Sequence, residues 1–117
     1  MKNSKPRLAY TNEQLLNAYF EQEETLHKGL PTVEYLVRKL NLSPRYLGDI
    51  LRSLTGQNVQ QHIHNKLIEK AKEKLSTTEL SVSEIAFSLG FEYSQSFSKL
   101  FKNKSGVSPI EFRSRFN

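Results

Sequence analysis

Hydrophobic residues recur along this chain at steps of three and four, and no segment alternates apolar and polar side chains as a half-buried strand would. The pattern predicts an all-α fold of about seven helices. Thr11 followed by Gln14 has the form of a capping box, and Leu15, Leu16, Tyr19, Phe20 and Leu26 then mark one face of a first helix that Gly29 and Pro31 end. Val33, Leu36, Val37 and Leu40 mark a short second helix. Ser43-Pro44 opens a third, an N-cap side chain followed by proline at the first helical position, with Leu47, Ile50, Leu51 and Leu54 facing inward and Gly56 as its stop. A longer helix over about residues 59–75 carries Val59, Ile63, Leu67, Ala71 and Leu75 in one stripe, and Ser76-Thr77-Thr78 breaks the pattern. Ser81 with Glu84 forms a second capping box, ahead of Val82, Ile85, Ala86 and Leu89. A helix from about Ser94 buries Phe97, Leu100 and Phe101. Ser108-Pro109 with Glu111 forms a third capping box and opens a last short helix holding Phe112.

Part of this pattern occurs twice. Leu36-Val37 and Leu40-Asn41-Leu42 correspond to Ile85-Ala86 and Leu89-Gly90-Phe91 at a separation of 49 residues. After the turn the separation becomes 50, which matches Leu47 to Phe97, Leu51 to Phe101, Arg52 to Lys102 and Gly56 to Gly106. A one-residue insertion at a turn is where a helical repeat tolerates one. Each copy is a short helix, a tight turn and a second helix, the outline of a helix-turn-helix. Ala86 is small enough for two helices to approach closely, and Gly90 takes a left-handed turn without steric cost. Asn41, the next most tolerant residue in that conformation, holds the turn of the first copy. The organisation that follows is a loose leader over residues 1–10 and one domain over 11–117. Within it lie a first helix-turn-helix over about 32–54, a connector helix over about 59–75 and a second helix-turn-helix over about 82–103.

These residues resemble the AraC/XylS family of bacterial transcription regulators. The resemblance rests on Ile85-Ala86, Gly90-Phe91, Phe97-Ser98, Phe101-Lys102, Gly106-Val107-Ser108-Pro109 and Phe112-Arg113 in the second half. In the first half it rests on Leu42-Ser43-Pro44, Tyr46-Leu47, Leu51, Thr55-Gly56 and Lys66-Leu67 with Ala71 and Leu75. It covers roughly residues 30–115. It implies two helix-turn-helix units joined by one long helix, a function in sequence-specific binding of double-stranded DNA for transcription regulation, and a sensing domain that usually precedes such a domain. No sensing domain is recognisable in the chain, which reads as an excised domain or a short stand-alone member. The spacing fits the resemblance. A 59–75 helix spans about 25 Å at about 1.5 Å per residue, and successive major-groove faces lie about 34 Å apart on one side of a duplex.

Charge narrows the partner. Seventeen Lys and Arg against twelve Asp and Glu give +5 over 117 residues, which points to an anionic partner, nucleic acid first and a membrane surface second. Lys99, Lys102, Lys104, Arg113 and Arg115 against Glu111 make the last nineteen residues the most basic stretch, interleaved with Phe101, Phe112 and Phe116 that imply packing on a core. The absence of cysteine removes disulfides, thiol catalysis and thiolate zinc sites. No stretch has signal-peptide character and none approaches a membrane span, so a cytoplasmic protein is expected. His62 and His64 point to different faces of a helix, and no phosphate loop, catalytic triad or close carboxylate pair emerges. Neither an enzyme, a metal site nor a cofactor is therefore expected.

On the second recognition helix, Ser94, Gln95, Ser96, Ser98 and Lys99 remain on the outward face, with Lys102 beyond them. Gln pairs with adenine, Lys with guanine acceptors, and Ser is short and adaptable. By resemblance these positions align with base and phosphate contacts. On the first, the outward residues are Arg45, Gly48, Asp49 and Arg52. Both arginines suit guanine or phosphate. Asp49, the only aspartate in the chain, accepts from cytosine, repels phosphates or, with Gly48, faces solvent or another protein. Lys66, Lys70, Lys72 and Lys74 mix with Glu69 and Glu73 as a solvated face of the connector. The alternative function is a protein-interaction module that contacts RNA polymerase or a sensor domain and binds DNA weakly. Binding of RNA ranks below both, because the aromatic residues fall on core positions and not on an exposed stacking platform.

Overall fold

The computed structural model describes residues 4–116, which form eight α-helices and no strand. They are α1 (Lys5–Glu21), α2 (Thr25–Lys28), α3 (Val33–Leu40), α4 (Pro44–Thr55), α5 (Val59–Thr77), α6 (Val82–Ser88), α7 (Ser94–Ser105) and α8 (Pro109–Ser114). The chain divides into two compact units. Unit 1 holds the residues up to Gln22 together with Pro31–Lys66, and unit 2 holds Glu23–Leu30 together with Leu67 onward.

The count exceeds the expected seven because the first predicted helix is two. Glu23 adopts a positive φ of 56° between α1 and α2, and Leu26, expected on the buried face, is exposed on α2. α1 also starts earlier than expected. Ser4 is its N-cap, with Oγ accepting from the Arg7 amide at 3.3 Å, and Pro6 sits in its first turn. Residues 5–10, expected in a loose leader, are therefore helical, while residues 1–3 lie outside the described residues. Thr11 does not cap anything, since its hydroxyl donates to the Arg7 carbonyl one turn back at 2.9 Å.

In unit 1, Leu16 of α1, Leu36 and Val37 of α3, Leu47 and Leu51 of α4, and Val59 and Ile63 of α5 make one core. Thr32 caps α3, Glu34 lies in its first turn, and Arg38 and Lys39 lie in its last, each matching the helix dipole. Asn41 then takes the left-handed conformation (φ 59°, ψ 46°). The Asn41 amide donates to the Arg38 carbonyl at 3.3 Å and the Leu42 amide to the Val37 carbonyl at 3.0 Å, which reverses the chain into α4. Ser43 caps α4 by accepting from the Tyr46 amide at 3.1 Å. Two expectations fail here. Leu54 is exposed near the end of α4, and Lys66 is buried and paired with Glu13 of α1 instead of lying on a solvated face.

In unit 2, Leu75, Ile85, Ala86, Leu89, Phe97 and Phe101 are buried. Gly90, at φ 103°, turns the chain between α6 and α7, and the Phe91 amide donates to the Ala86 carbonyl at 3.0 Å. Phe91, Phe97, Phe101, Phe112 and Phe116 follow one another as a run of ring contacts at centroid separations of 5.0–5.9 Å. Only the last, Phe116, is exposed. The basic C-terminal stretch therefore is anchored on aromatic packing, as its composition implied. Arg113 of α8 donates through Nε to the Leu75 carbonyl at 3.0 Å and through Nη2 to the Thr78 carbonyl at 3.3 Å, satisfying carbonyls that the end of α5 leaves free. The expected break at Ser76-Thr77-Thr78 comes later than predicted. The hydroxyls of Ser76 and Thr77 bond back to the Lys72 and Glu73 carbonyls, and the helix runs through Thr77. Lys70 is buried rather than solvated, and Lys72 lies over the Phe112 ring at 5.6 Å.

The short segment Glu23–Leu30 packs on the turn of α6 and α7. Thr25 Oγ1 donates to the Ser88 carbonyl at 2.7 Å, and a Cβ added at Gly90 would meet Gly29 C at 2.7 Å and Leu30 N at 2.8 Å. Gly90 is thus required twice, by its φ and by this close approach. Gly106, at φ 84°, is required only by its φ, because a Cβ there meets nothing within 4 Å. Gly106→Ala is expected to destabilise by about 1–2 kcal/mol through the left-handed penalty alone. Gly90→Ala should cost clearly more, about 3 kcal/mol or above, by adding an overlap with backbone that cannot step aside. Denaturant unfolding of the two variants checks the order.

His62 of α5 is half-buried, with Nε2 2.9 Å from Thr55 Oγ1. Burial lowers its pKa below the ordinary 6.5, and the nearby Glu13 carboxylate opposes the shift without reversing it. The unfolded chain therefore binds a proton at this ring more readily than the folded one, so stability falls as pH drops through the region of 6.5. Thermal unfolding between pH 7.5 and 5.5, roughly the range over which an ordinary histidine titrates, should show a shallower pH dependence in His62→Gln than in the parent chain.

Candidate nucleic-acid interface

The two copies of the repeat place side chains in matching positions. On α4, Arg45, Gly48, Asp49 and Arg52 are spaced as one face of a helix, opposite the buried Leu47, Ile50 and Leu51. On α7, fifty residues on, Gln95, Ser98, Lys99 and Lys102 hold the same positions opposite the buried Phe97 and Phe101. Arg45, Asp49, Arg52, Gln95, Ser96, Lys99 and Lys102 are exposed, and Ser94 and Ser98 are half-buried at the margin of the α7 face. Within each unit, then, Arg45, Asp49 and Arg52 on α4 and Gln95, Lys99 and Lys102 on α7 lie on one outward face, while Ser94 and Ser96 fall to either side of the α7 face.

The faces differ in charge. Asp49 Oδ1 lies 3.8 Å from Arg52 Nη1, a pair in which both side chains are largely exposed. Such a pair contributes about 0.2–1 kcal/mol at most, so it orients the arginine more than it stabilises the helix. The corresponding positions on α7 are two cations, Lys99 and Lys102. An open cavity of about 530 Å³ lies beside them, lined by Ser98, Lys99, Lys102, Asn103, Gly106 and Ser108. Asn103 was not anticipated, although its place one turn beyond Lys99 was a legible signal. Glu111 borders this basic end. Hydrogen bonds from the backbone and side chain of Ser108 hold its carboxyl below the usual range, and Lys102 and Arg115 add to the effect. Glu111 thus stays ionised as a cap and leaves the lysines' charge partly balanced.

The repeat continues past the recognition helices. Thr55 Oγ1 donates to the Leu51 carbonyl at 2.7 Å and Ser105 Oγ to the Phe101 carbonyl at 2.6 Å. The amides of Gly56 and Gly106 each donate 2.9 Å to the carbonyl four residues back. A reciprocal cap follows each glycine. Asn58 and Gln61 exchange amide-to-side-chain bonds of 2.8 Å, while Ser108 and Glu111 exchange bonds of 2.9 and 3.1 Å. The first of these caps is less plain in the sequence, because Asn58 and Gln61 use amides where the capping box ordinarily uses a hydroxyl and a carboxylate. The two copies therefore agree atom for atom over about two turns of chain beyond what periodicity revealed.

Two such units in one chain define a tandem helix-turn-helix domain, each unit presenting a polar recognition helix. A family profile described as a helix-turn-helix domain matches residues 36–115. The Msm operon regulatory protein of Streptococcus mutans is 40% identical over 81 residues, covering 69% of this chain and 29% of that protein. The chain thus spans about three-tenths of the length of the curated relatives it matches. Among solved structures, the C-terminal domain of AraT, a response regulator from Geobacillus stearothermophilus, superposes with a TM-score of 0.78 at 30% identity, covering 92% of this chain and 84% of that one. The DNA-binding domain of AdpA, a global transcriptional factor solved in complex with a target DNA, gives 0.71 at 28% identity, covering 89% and 91%. The chain belongs to the AraC/XylS family of transcription regulators, as a DNA-binding domain of that family.

The matched caps generate a paired expectation. Asn58→Ala and Ser108→Ala should each destabilise by about 1 kcal/mol, a typical loss for an N-cap side chain. Calorimetric melting of both variants checks whether the two copies share this energetics as they share the geometry.

Proposed function

We propose that the domain reads one asymmetric site on double-stranded DNA, with α4 and α7 lying in successive segments of the major groove. The observation that carries this reading is the repetition of one outward polar face, at identical spacing, on two helices whose side-chain chemistry differs. Gln95 pairs with adenine, Lys99 and Arg45 take guanine acceptors, and Ser94, Ser96 and Ser98 make short adaptable contacts. Lys102 and Arg52 serve the phosphates or a neighbouring guanine. Because Gln-Lys-Lys on α7 replaces Arg-Asp-Arg on α4, the two half-sites differ in sequence.

The domain works in the cytoplasm as the DNA-reading part of a longer regulator, whose remaining portion senses a signal. The support is the 29% of its length that the Streptococcus relative shares with this chain. RNA polymerase is the natural second partner for a regulator that activates.

Duplexes selected from a random pool by this chain supply the operator. Gln95→Ala and Lys99→Ala should each lose about 1–3 kcal/mol on the selected duplex and much less on a scrambled one. Equal losses on both would reduce these residues to backbone contacts. Asp49→Ala separates two roles. A loss confined to the selected duplex makes Asp49 a reading residue, whereas a gain on every duplex, largest at low salt, makes it a source of phosphate repulsion.

A further inference from the structure

Gly48 has no local reason to be glycine. It lies in the middle of α4, where glycine is the poorest helix former after proline. Its φ is helical, and a Cβ built on it would meet nothing within 4 Å. Gly29 and Gly90, by contrast, have positive φ and a close neighbour, and Gly56 and Gly106 have positive φ at helix ends. The repeat counterpart of Gly48 is Ser98, so the helix-turn-helix architecture accepts a side chain at this position. The fold therefore pays a helix-propensity cost at position 48 that neither packing nor backbone geometry requires.

The location of the bare position suggests what it is for. Gly48 sits at the centre of the α4 face, one turn after Arg45 and one turn before Arg52, beside Asp49. We propose that Gly48 is a specificity-determining position: the half-buried backbone there, bare of a side chain and with open space where a Cβ would stand, lets α4 seat deeply against the floor of the major groove, so that Arg45 and the Asp49–Arg52 pair reach base edges. This inference rests on the proposed DNA-reading function and adds to it the depth at which one of the two helices enters. A glycine that permits close approach of backbone to a ligand is a recognised use of the residue. A methyl group at position 48 would hold the helix away from the bases while leaving the long arginines able to reach phosphates.

The test uses the full chain, the duplex it selects from a random pool, and a scrambled duplex of equal length. Gly48→Ala should raise Tm by about 2–6 °C, because a free helical position gains a better helix former. The same variant should bind the selected duplex about tenfold more weakly, the size of one lost base contact, with binding to the scrambled duplex unchanged. Repeating the selection with Gly48→Ala should flatten base preference in one half-site, and with Gln95→Ala in the other. The inference is overturned if Gly48→Ala binds the selected duplex as tightly as the parent, if its losses are equal on both duplexes, or if its Tm falls. Failure of the underlying reading has a separate signature. In that case the parent chain selects no preferred sequence, and the inference falls with it; if the parent discriminates and Gln95→Ala loses discrimination while Gly48→Ala does not, the inference alone is wrong.

Discussion

Each unit depends on one reversal of direction. A single residue in left-handed conformation, Asn41 or Gly90, ends the first helix of the pair. The next residue, Leu42 or Phe91, then donates its amide five residues back to Val37 or Ala86, both at 3.0 Å. That bond pulls an apolar side chain onto the helix pair and sets the direction in which the recognition helix leaves. Everything outward of it follows. Once Leu47 and Leu51, or Phe97 and Phe101, are committed to the core, the helical period alone decides that Arg45, Asp49 and Arg52, or Gln95, Lys99 and Lys102, face away from it. The chemistry of each outward face is thus fixed by a turn that contributes no side chain to it.

On this common frame the two copies have diverged in electrostatics. By sequence, unit 1 carries eight basic and four acidic side chains, and unit 2 carries nine and eight. The basic tract at the end of the chain is therefore offset within its own unit by glutamates drawn from Glu23 to Glu92. The excess of positive charge lies in unit 1, although its recognition helix carries the only aspartate. Sequence position and spatial grouping give opposite answers here, and the second governs the field a polyanion meets at distances comparable to the screening length.

Much of this was legible from residue pattern because the decisive signals are local. Ser43-Pro44, Ser81 with Glu84, and Ser108-Pro109 with Glu111 mark helix starts through bonds spanning three residues, and each of those bonds forms. The failures have other causes. Thr11 imitates a cap, but the preceding residues already propagate a helix from Ser4, so its hydroxyl turns back to the Arg7 carbonyl. Lys66 looks like a solvated cation until Glu13, fifty-three residues earlier, arrives beside it. Arg113 stands in the sequence as one charge of a basic stretch expected to pack on a core, and its particular role, closing the end of α5, comes from a carbonyl thirty-eight residues earlier. The Glu13 and Leu75 partners are distant in sequence, which periodicity does not encode, whereas Thr11 fails locally because a helix already runs through it. The outward faces were legible as faces. In the sequence Gly48 is only a glycine on the outward face of a helix, and the open space around it in three dimensions is what shows that packing does not require it.

The excursion of residues 23–30 has a consequence for modularity. This segment leaves unit 1 after α1, lays Thr25 on the Ser88 carbonyl and Gly29 against Gly90, and returns to unit 1 at Pro31. Unit 2 is therefore discontinuous in sequence. A fragment that begins at residue 67 would keep both of its helix-turn-helix helices but uncover the Ser88 carbonyl and the flank of its own turn. A break within α5 would likewise separate α6 and α7 from the segment that packs on their turn, so the second helix-turn-helix of this chain is not a self-contained cassette.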